Sequence, residues 1–337
     1  LANLINSTDG VRFGLMIFNS NNPDNTANLE GAHIAGVGDA YGYSGYQSYI
    51  KDMDAIFSGT TDNRTALINT INNITPSTYT PLAETLFEAM RYYKGAATAY
   101  PSANGSITYT TPIEYSCQKN YIIFITDGMS THDNNAVLRT ICNNGDCDGD
   151  GNEPGTTGAN GTDYLDDVAK YLYDSDLLTD GADIKTTGKQ NVITHTVGFG
   201  LTGADADAVT LLTDAAYNGG GNYYLASSTS GLSESLRQIL ATIIEDNTSF
   251  VAPVVPVSPE NRTFSGSRIY MGFFKPTTEA FWFGNLKKYG IDSANAIVDM
   301  NGAAATNSDG SIRDNAVSYW SPVADGGNVD QGGVGGL

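Results

Sequence analysis

Apolar positions along this chain follow two periods, and the two alternate over most of its length. The run Val-Arg-Phe-Gly-Leu-Met-Ile-Phe from Val11 to Phe18, bounded by the Asp9-Gly10 turn and a polar stretch, predicts a mostly buried strand. The segment Tyr49 to Phe57, and then Leu67, Ile68, Ile71 and Ile74 after Asp62, reads as helix. A second helix is predicted from Pro81, with Thr80 placed to cap it and Leu82, Leu86, Ala89, Met90 and Tyr93 as its apolar stripe. Tyr121–Thr126, Val192–Phe199 and Tyr223–Ala226 read as strands. Between and after them, Leu165, Val168, Ala169 and Leu172, then Leu211, Leu212 and Ala215, then Leu232, Leu236, Ile239, Leu240 and Ile243 mark helices. A parallel strand connection must cross over and usually does so by a helix. The expected class is therefore α/β, a doubly wound, mainly parallel sheet with helices on both faces.

The pattern changes at Ser249. Beyond it come short β-type runs, Arg268 to Phe274 and Phe281 to Tyr289, with Pro and Gly turns and no helical period. Two domains are predicted, an α/β domain over residues 1–248 and a small β-rich module or connector over 249–337. The glycine-rich run from Gly326 to Leu337 reads as a passage to a further domain. No apolar run approaches the ~18 residues of a membrane span. The start at Leu1, with no initiator Met and no basic or apolar leader, reads as a cut.

With 37 acidic and 17 basic side chains the net charge is −20. That balance repels nucleic acid and anionic membranes and makes divalent cations the natural partners. Abundant Gly, Asn, Ser, Thr, Tyr and Asp with little Lys point to an exported, loop-rich surface protein. Cys142 and Cys147 bracket Asn-Asn-Gly-Asp, a separation that a disulfide can close in an oxidising compartment, and Cys117 is left over.

Candidate chemistry lies at two places. Asp127 follows a buried strand directly, where ligands gather at the carboxyl ends of an open parallel sheet, and Thr80 at a helix start could stand beside it as a hydroxyl ligand for a hard cation such as magnesium. The alternatives are a plain turn former and a plain helix cap. The loop Asp146-Cys-Asp-Gly-Asp-Gly-Asn-Glu-Pro carries acidic side chains at alternate positions, with Gly151 in sixth place, as in the first half of an EF-hand calcium loop. Asp146, Asp148, Asp150, Asn152 and Glu153 are its candidate calcium ligands. Thr157 stands where a bidentate Glu is usual, so Glu153, Asp163, Asp166 or water must complete the shell. The alternative is a solvated acidic loop. Gly36 to Gly42 imitates a dinucleotide loop with the wrong spacing, and His33, His132 and His195 are scattered. No Gly-x-Ser-x-Gly elbow or paired-histidine motif is present, and the chain is read as not an enzyme.

Four blocks carry a resemblance: Thr-Pro-Leu-Ala-Glu-Thr-Leu (80–86), Ile-Phe-Ile-Thr-Asp-Gly (123–128), Val-Gly-Phe-Gly (197–200) and Gly-Gly-Gly-Asn-Tyr-Tyr-Leu-Ala (219–226). They resemble the blocks of a von Willebrand factor A-type (vWA) domain. With Tyr164 to Tyr173, Trp282 to Tyr289 and Ser318-Tyr-Trp-Ser321, the whole chain is similar to the PilY-type adhesins of type IV pilus tips. The resemblance implies a metal-ion-dependent adhesion site in which Thr80 and Asp127 match the second and third motifs. The first motif, Asp-x-Ser-x-Ser, is absent from this sequence. It further implies non-catalytic roles in adhesion, pilus assembly and twitching motility, minor pilins and host or abiotic surfaces as partners, an extracellular place at the pilus tip or outer surface, and a C-terminal propeller beyond this chain. Residues 19–48 and 99–118 are candidate specificity loops. A structural domain that has lost its adhesion site is the competing expectation.

Overall fold

The computed structural model describes residues 1–18, 31–35, 43, 45–75, 79–101, 105–116, 118–151, 161–178, 188–247, 268–275, 283–294, 296–307 and 312–336. Its centre is a parallel sheet of β5 (Tyr121–Thr126), β6 (Ile193–Phe199) and β7 (Gly220–Ala226), paired in that order. The helices α3 (Leu82–Tyr93), α4 (Tyr164–Asp174) and α5 (Ala206–Asn218) flank it. The architecture is mixed α/β, and the three central strands and their crossover helices stand where the periodicity puts them. Among the described strands of this sheet no reversal of order occurs, so the feature that marks a doubly wound sheet is not among them.

The core forms where the helical stripes meet the strands. Leu165, Val168, Ala169 and Leu172 of α4 pack with Leu82, Leu86 and Met90 of α3, Leu211, Leu212 and Ala215 of α5, and Phe124 of β5. Each large side chain so buried contributes roughly 1.5–3 kcal/mol, which is what holds the crossover helices to the sheet.

The N-terminal part departs from its reading. The predicted strand from Val11 shrinks to β1 (Met16–Phe18), antiparallel to β2 (Ala32–Ile34). The residues before it bond irregularly to the 48–51 segment instead, through Leu15 N to Ser48 O and Lys51 N to Phe13 O. Tyr49 to Phe57 is not helical, because Gly59 turns the chain into a hairpin of β3 (Ile56–Ser58) and β4 (Thr61–Asp62). Helix α2 (Asn63–Asn73) begins only after Asp62, whose carboxylate accepts the Thr65 N–H at 2.7 Å. A short helix α1 (Ala2–Asn6) buries Ile5 beside Met53, Ala66 and Leu67.

The chain divides into two compact units, 1–239 and 240–337, and the division falls inside α6 (Thr229–Asn247). In the second unit β8 (Arg268–Lys275) and β9 (Phe283–Ile291) form a continuous antiparallel ladder, extended by β10 (Ile297–Val298). Alternation buries Ile269, Met271, Phe273 and Tyr289 with Ala305, Ile312, Ala316 and Val329. Asn285 and Lys287 of β9 then hold the tail: Asn285 Nδ2 donates to the carbonyls of Val329 and Gly332, each at 2.9 Å. Among the described residues no helix is long and apolar enough to cross a membrane.

Candidate metal centre

Asp146, Asp148 and Asp150 converge, each offering a carboxylate oxygen, with these oxygens within 4.8 Å of one another. Local chemistry explains the shape. A disulfide joins Cys142 to Cys147, with Cα atoms 5.1 Å apart, and closes the turn before the loop. The Asp146 carboxylate accepts the Gly149 N–H at 2.6 Å and that of Asp148 accepts the Asp150 N–H at 3.1 Å, so the acidic side chains fold the backbone around themselves. Gly151 takes φ +75°, a left-handed turn that other residues adopt only with strain.

Two helices brace this loop. In the first turn of α4, Asp167 accepts the Cys147 N–H at 2.6 Å. At the last residue of α5, Asn218 donates to Asp148 Oδ2 at 2.8 Å and reaches Asp166 Oδ2 at 3.5 Å. Asp166 is buried, and its carboxyl is pushed up to about 8, first by burial and then by the negative charges of Asp163 and Asp148. The Asp214 carboxyl on α5 is raised as well, by partial burial and then by Asp150 and Asp148. Lys170, the nearby cation, is engaged with Asp174 at 2.9 Å. Carboxylates gathered in this way repel one another unless positive charge lies among them. The donors are all oxygen, which suits a hard divalent cation and not a soft one, and they do not by themselves choose between such cations. Asn152, Glu153 and Thr157 lie outside the described residues.

The second sequence candidate is arranged otherwise. Thr80 does not cap α3. Its hydroxyl donates to Met129 O at 2.6 Å and lies 2.9 Å from the Thr131 hydroxyl, while Thr131 and Thr80 exchange further bonds through their backbones. Asp127 is exposed at the end of β5, and no hydrogen bond joins it to Thr80. Beside them the rings of Tyr79 and His132 pack 4.0 Å apart, with His132 at φ +50°.

The start of α3 is completed by a residue the sequence reading passed over. Asp133, fully buried, accepts the N–H groups of Ala83 at 2.7 Å and Glu84 at 2.8 Å and the Ser130 hydroxyl at 2.6 Å. Burial is the larger influence and pushes its carboxyl up to about 6, against these bonds. Glu84 and Glu88 of the same helix are also fully buried. Glu84 accepts from Gly31 and Asn135, and Glu88 from Ala99, Tyr100 and the Tyr109 hydroxyl. Three carboxylates thus staple separate loops onto one helix.

His195 is packed inside β6, its Nδ1 accepting the Asn222 N–H and its ring stacked on Tyr121. The Gly36 to Gly42 segment and Cys117 lie outside the described residues. Neither a family model, nor a curated protein, nor a solved structure matches the chain.

Proposed function

We propose that this chain is a non-catalytic adhesion and assembly domain of vWA type, from an exported bacterial protein of the PilY type acting at the tip of a type IV pilus or on the outer cell surface. One observation carries the reading. Three of the four blocks that resemble the family fall on neighbouring strands of the parallel sheet, 123–128 on the end of β5, 197–200 on the end of β6 and 219–226 on β7, and the fourth, 80–86, on the start of α3, which packs with Phe124 of β5. Loops leaving such strand ends are held rigidly and present side chains to a partner. Minor pilins and host or abiotic surface ligands are the partners this reading names. The β-rich second unit links the domain towards a C-terminal propeller, and the sheet belongs to a doubly wound vWA fold.

In this reading calcium occupies the loop of Asp146, Asp148 and Asp150, with Asn152 and Glu153 as further ligands, and clamps it against α4 and α5. The role of the cation is structural: it offsets the mutual repulsion of these carboxylates and fixes the loop. A magnesium adhesion site at Thr80 and Asp127 would need ligands from the first motif, which this sequence lacks. The engagement of Thr80 with Met129 and Thr131 favours a second reading, a vWA spacer or cap without a working adhesion site, in some other secreted bacterial surface protein.

Calorimetric titration of metal-stripped protein with calcium and then magnesium separates the two. Calcium binding that disappears in Asp148→Ala/Asp150→Ala, with a rise in Tm on binding, supports the clamp. A magnesium signal lost in Asp127→Ala supports the adhesion site. No adsorption to minor pilins or coated surfaces, with or without either ion, would leave the spacer reading.

A further inference from the structure

Lys287 and Asp325 in the second unit are both inaccessible to solvent, with Nζ 3.1 Å from Oδ2. We propose that this pair condenses into an intramolecular amide between the Lys287 side-chain nitrogen and the Asp325 side-chain carbonyl, a covalent tie from β9 to the segment that follows Ser318-Tyr-Trp-Ser321.

The site is dry. Gly332, at φ +58°, passes so close that a Cβ there would lie 2.2 Å from Asp325 Oδ2, and the Phe273 ring stands 5.4 Å from Nζ. Two full charges in such a place are costly to keep from water. Burial lowers the Lys287 amine's affinity for its proton, opposed by its bond to Asp325. Orientation is fixed as well. Nζ donates to Asp325 O at 2.5 Å and to Gly326 O at 3.0 Å, which pins two of its tetrahedral directions and leaves another for the side-chain carboxyl. The carboxyl is held from its far side, Oδ1 by the Ser318 N–H at 2.7 Å and Oδ2 by the Ser318 hydroxyl at 2.8 Å. Nζ is held 3.1 Å from Oδ2, beside the carbon it attacks, and groups kept in fixed orientation gain much of what a bimolecular step spends on encounter.

The step balances within the pair. One proton passes from the ammonium to Oδ2, giving amine and acid. The Nζ lone pair attacks Cγ, and the charge developing on Oδ1 is stabilised by the Ser318 N–H. A second proton leaves Nζ for Oδ2, which departs as water as the carbonyl at Oδ1 reforms. The product amide keeps one N–H, still able to donate to a backbone carbonyl. Exclusion of water from the site then protects the bond.

The test is the intact mass of the full chain, folded, then reduced and denatured. The expected mass is one water below that of the sequence. Tryptic digestion should give a branched peptide joining the Lys287 and Asp325 segments, with no cleavage after Lys287. Lys287→Met and Asp325→Ala should restore the full mass, and Ser318→Ala should slow the loss of water. A mass equal to the sequence after prolonged incubation, with normal cleavage after Lys287, overturns the proposal and leaves an ion pair. So does a loss of water that maps to a succinimide at Asp325-Gly326 with no branched peptide. The unsubstituted chain decides the matter even if a variant fails to fold.

Discussion

Asp133 and Asp166 are both carboxyl groups buried within the first unit, and they differ in what surrounds them. At the start of α3, Asp133 receives two helix N–H groups and a serine hydroxyl, and its carboxyl rises only to about 6 despite complete burial. At the start of α4, Asp166 accepts the Asp167 N–H at 3.0 Å and a long contact from Asn218 but faces Asp163 and Asp148, and rises to about 8. A helix N-terminus favours negative charge in both places, so the helix is not the difference. Donors are. Among the described residues Asp133 meets donors of the chain itself, whereas Asp166 sits among like charges while Lys170 is engaged by Asp174, and the calcium proposal is that a cation from outside offsets them.

The comparison breaks if the first region also depends on an ion. Asp133→Ala removes the acceptor of two helix N–H groups and strands a buried hydroxyl, and should lower stability by about 3 kcal/mol, since each buried charge-assisted bond contributes roughly 1.5–3 kcal/mol. Urea unfolding with and without saturating calcium measures it. The loss should be the same in both, and Asp133→Asn, which keeps an acceptor, should lose less.

The next effect belongs to the loop alone. Reducing the disulfide between Cys142 and Cys147 frees a short closed loop and should cost about 2 kcal/mol by the loop-entropy relation. Calcium affinity should fall with it, because ordering the loop is then charged against binding. Thermal unfolding of the Cys142→Ser/Cys147→Ser variant checks the first statement, and calcium titration of the same variant checks the second. Asp133→Ala, by contrast, should leave calcium affinity unchanged.

The two regions were not equally legible in the sequence. Alternating carboxylates and a glycine in sixth place are a local pattern, so Asp146, Asp148 and Asp150 could be picked out before any fold was known. Two of the donors around Asp133 come from α3, which lies about fifty positions earlier, and no local pattern announces a contact of that range. Asn218 was missed for the same reason. The central strands and helices were readable because each buries one face, and burial writes its period into the chain. The described residues 11–18 and 45–57 were not, since their shape comes from an irregular ladder and a hairpin turn. Lys287 had a signal that went unread: strand alternation sets it on the face of Tyr289, which is the buried one. Thr80 was read as a cap from its place before Pro81, but the cap is supplied from a distance.

The smallest effect is the sharpest, because its sign depends on the cation. In the folded, metal-free chain both carboxyls hold their protons more tightly than at the ordinary value of 3.8, Asp133 up to about 6 and Asp166 up to about 8. Stability from such groups is full below about 3.8 and is lost as pH rises through the folded value. Asp133 has given up its share by about pH 6, so the part of the slope between about 6 and 8 that Asp166 supplies can be isolated by substitution. Metal-free wild type should therefore lose stability across that interval, and Asp166→Asn, which cannot ionise, should be flatter and more stable by about 1 kcal/mol at its upper end. Saturating calcium prefers the ionised carboxylates, so in its presence the part of the wild-type slope that Asp166 supplies should vanish and the variant should become the less stable of the two. Tm measured at several pH values, with chelator and with calcium, gives both curves. If they run parallel, Asp166 does not sense the cation, and the loop closes over its own charges as Asp133 does.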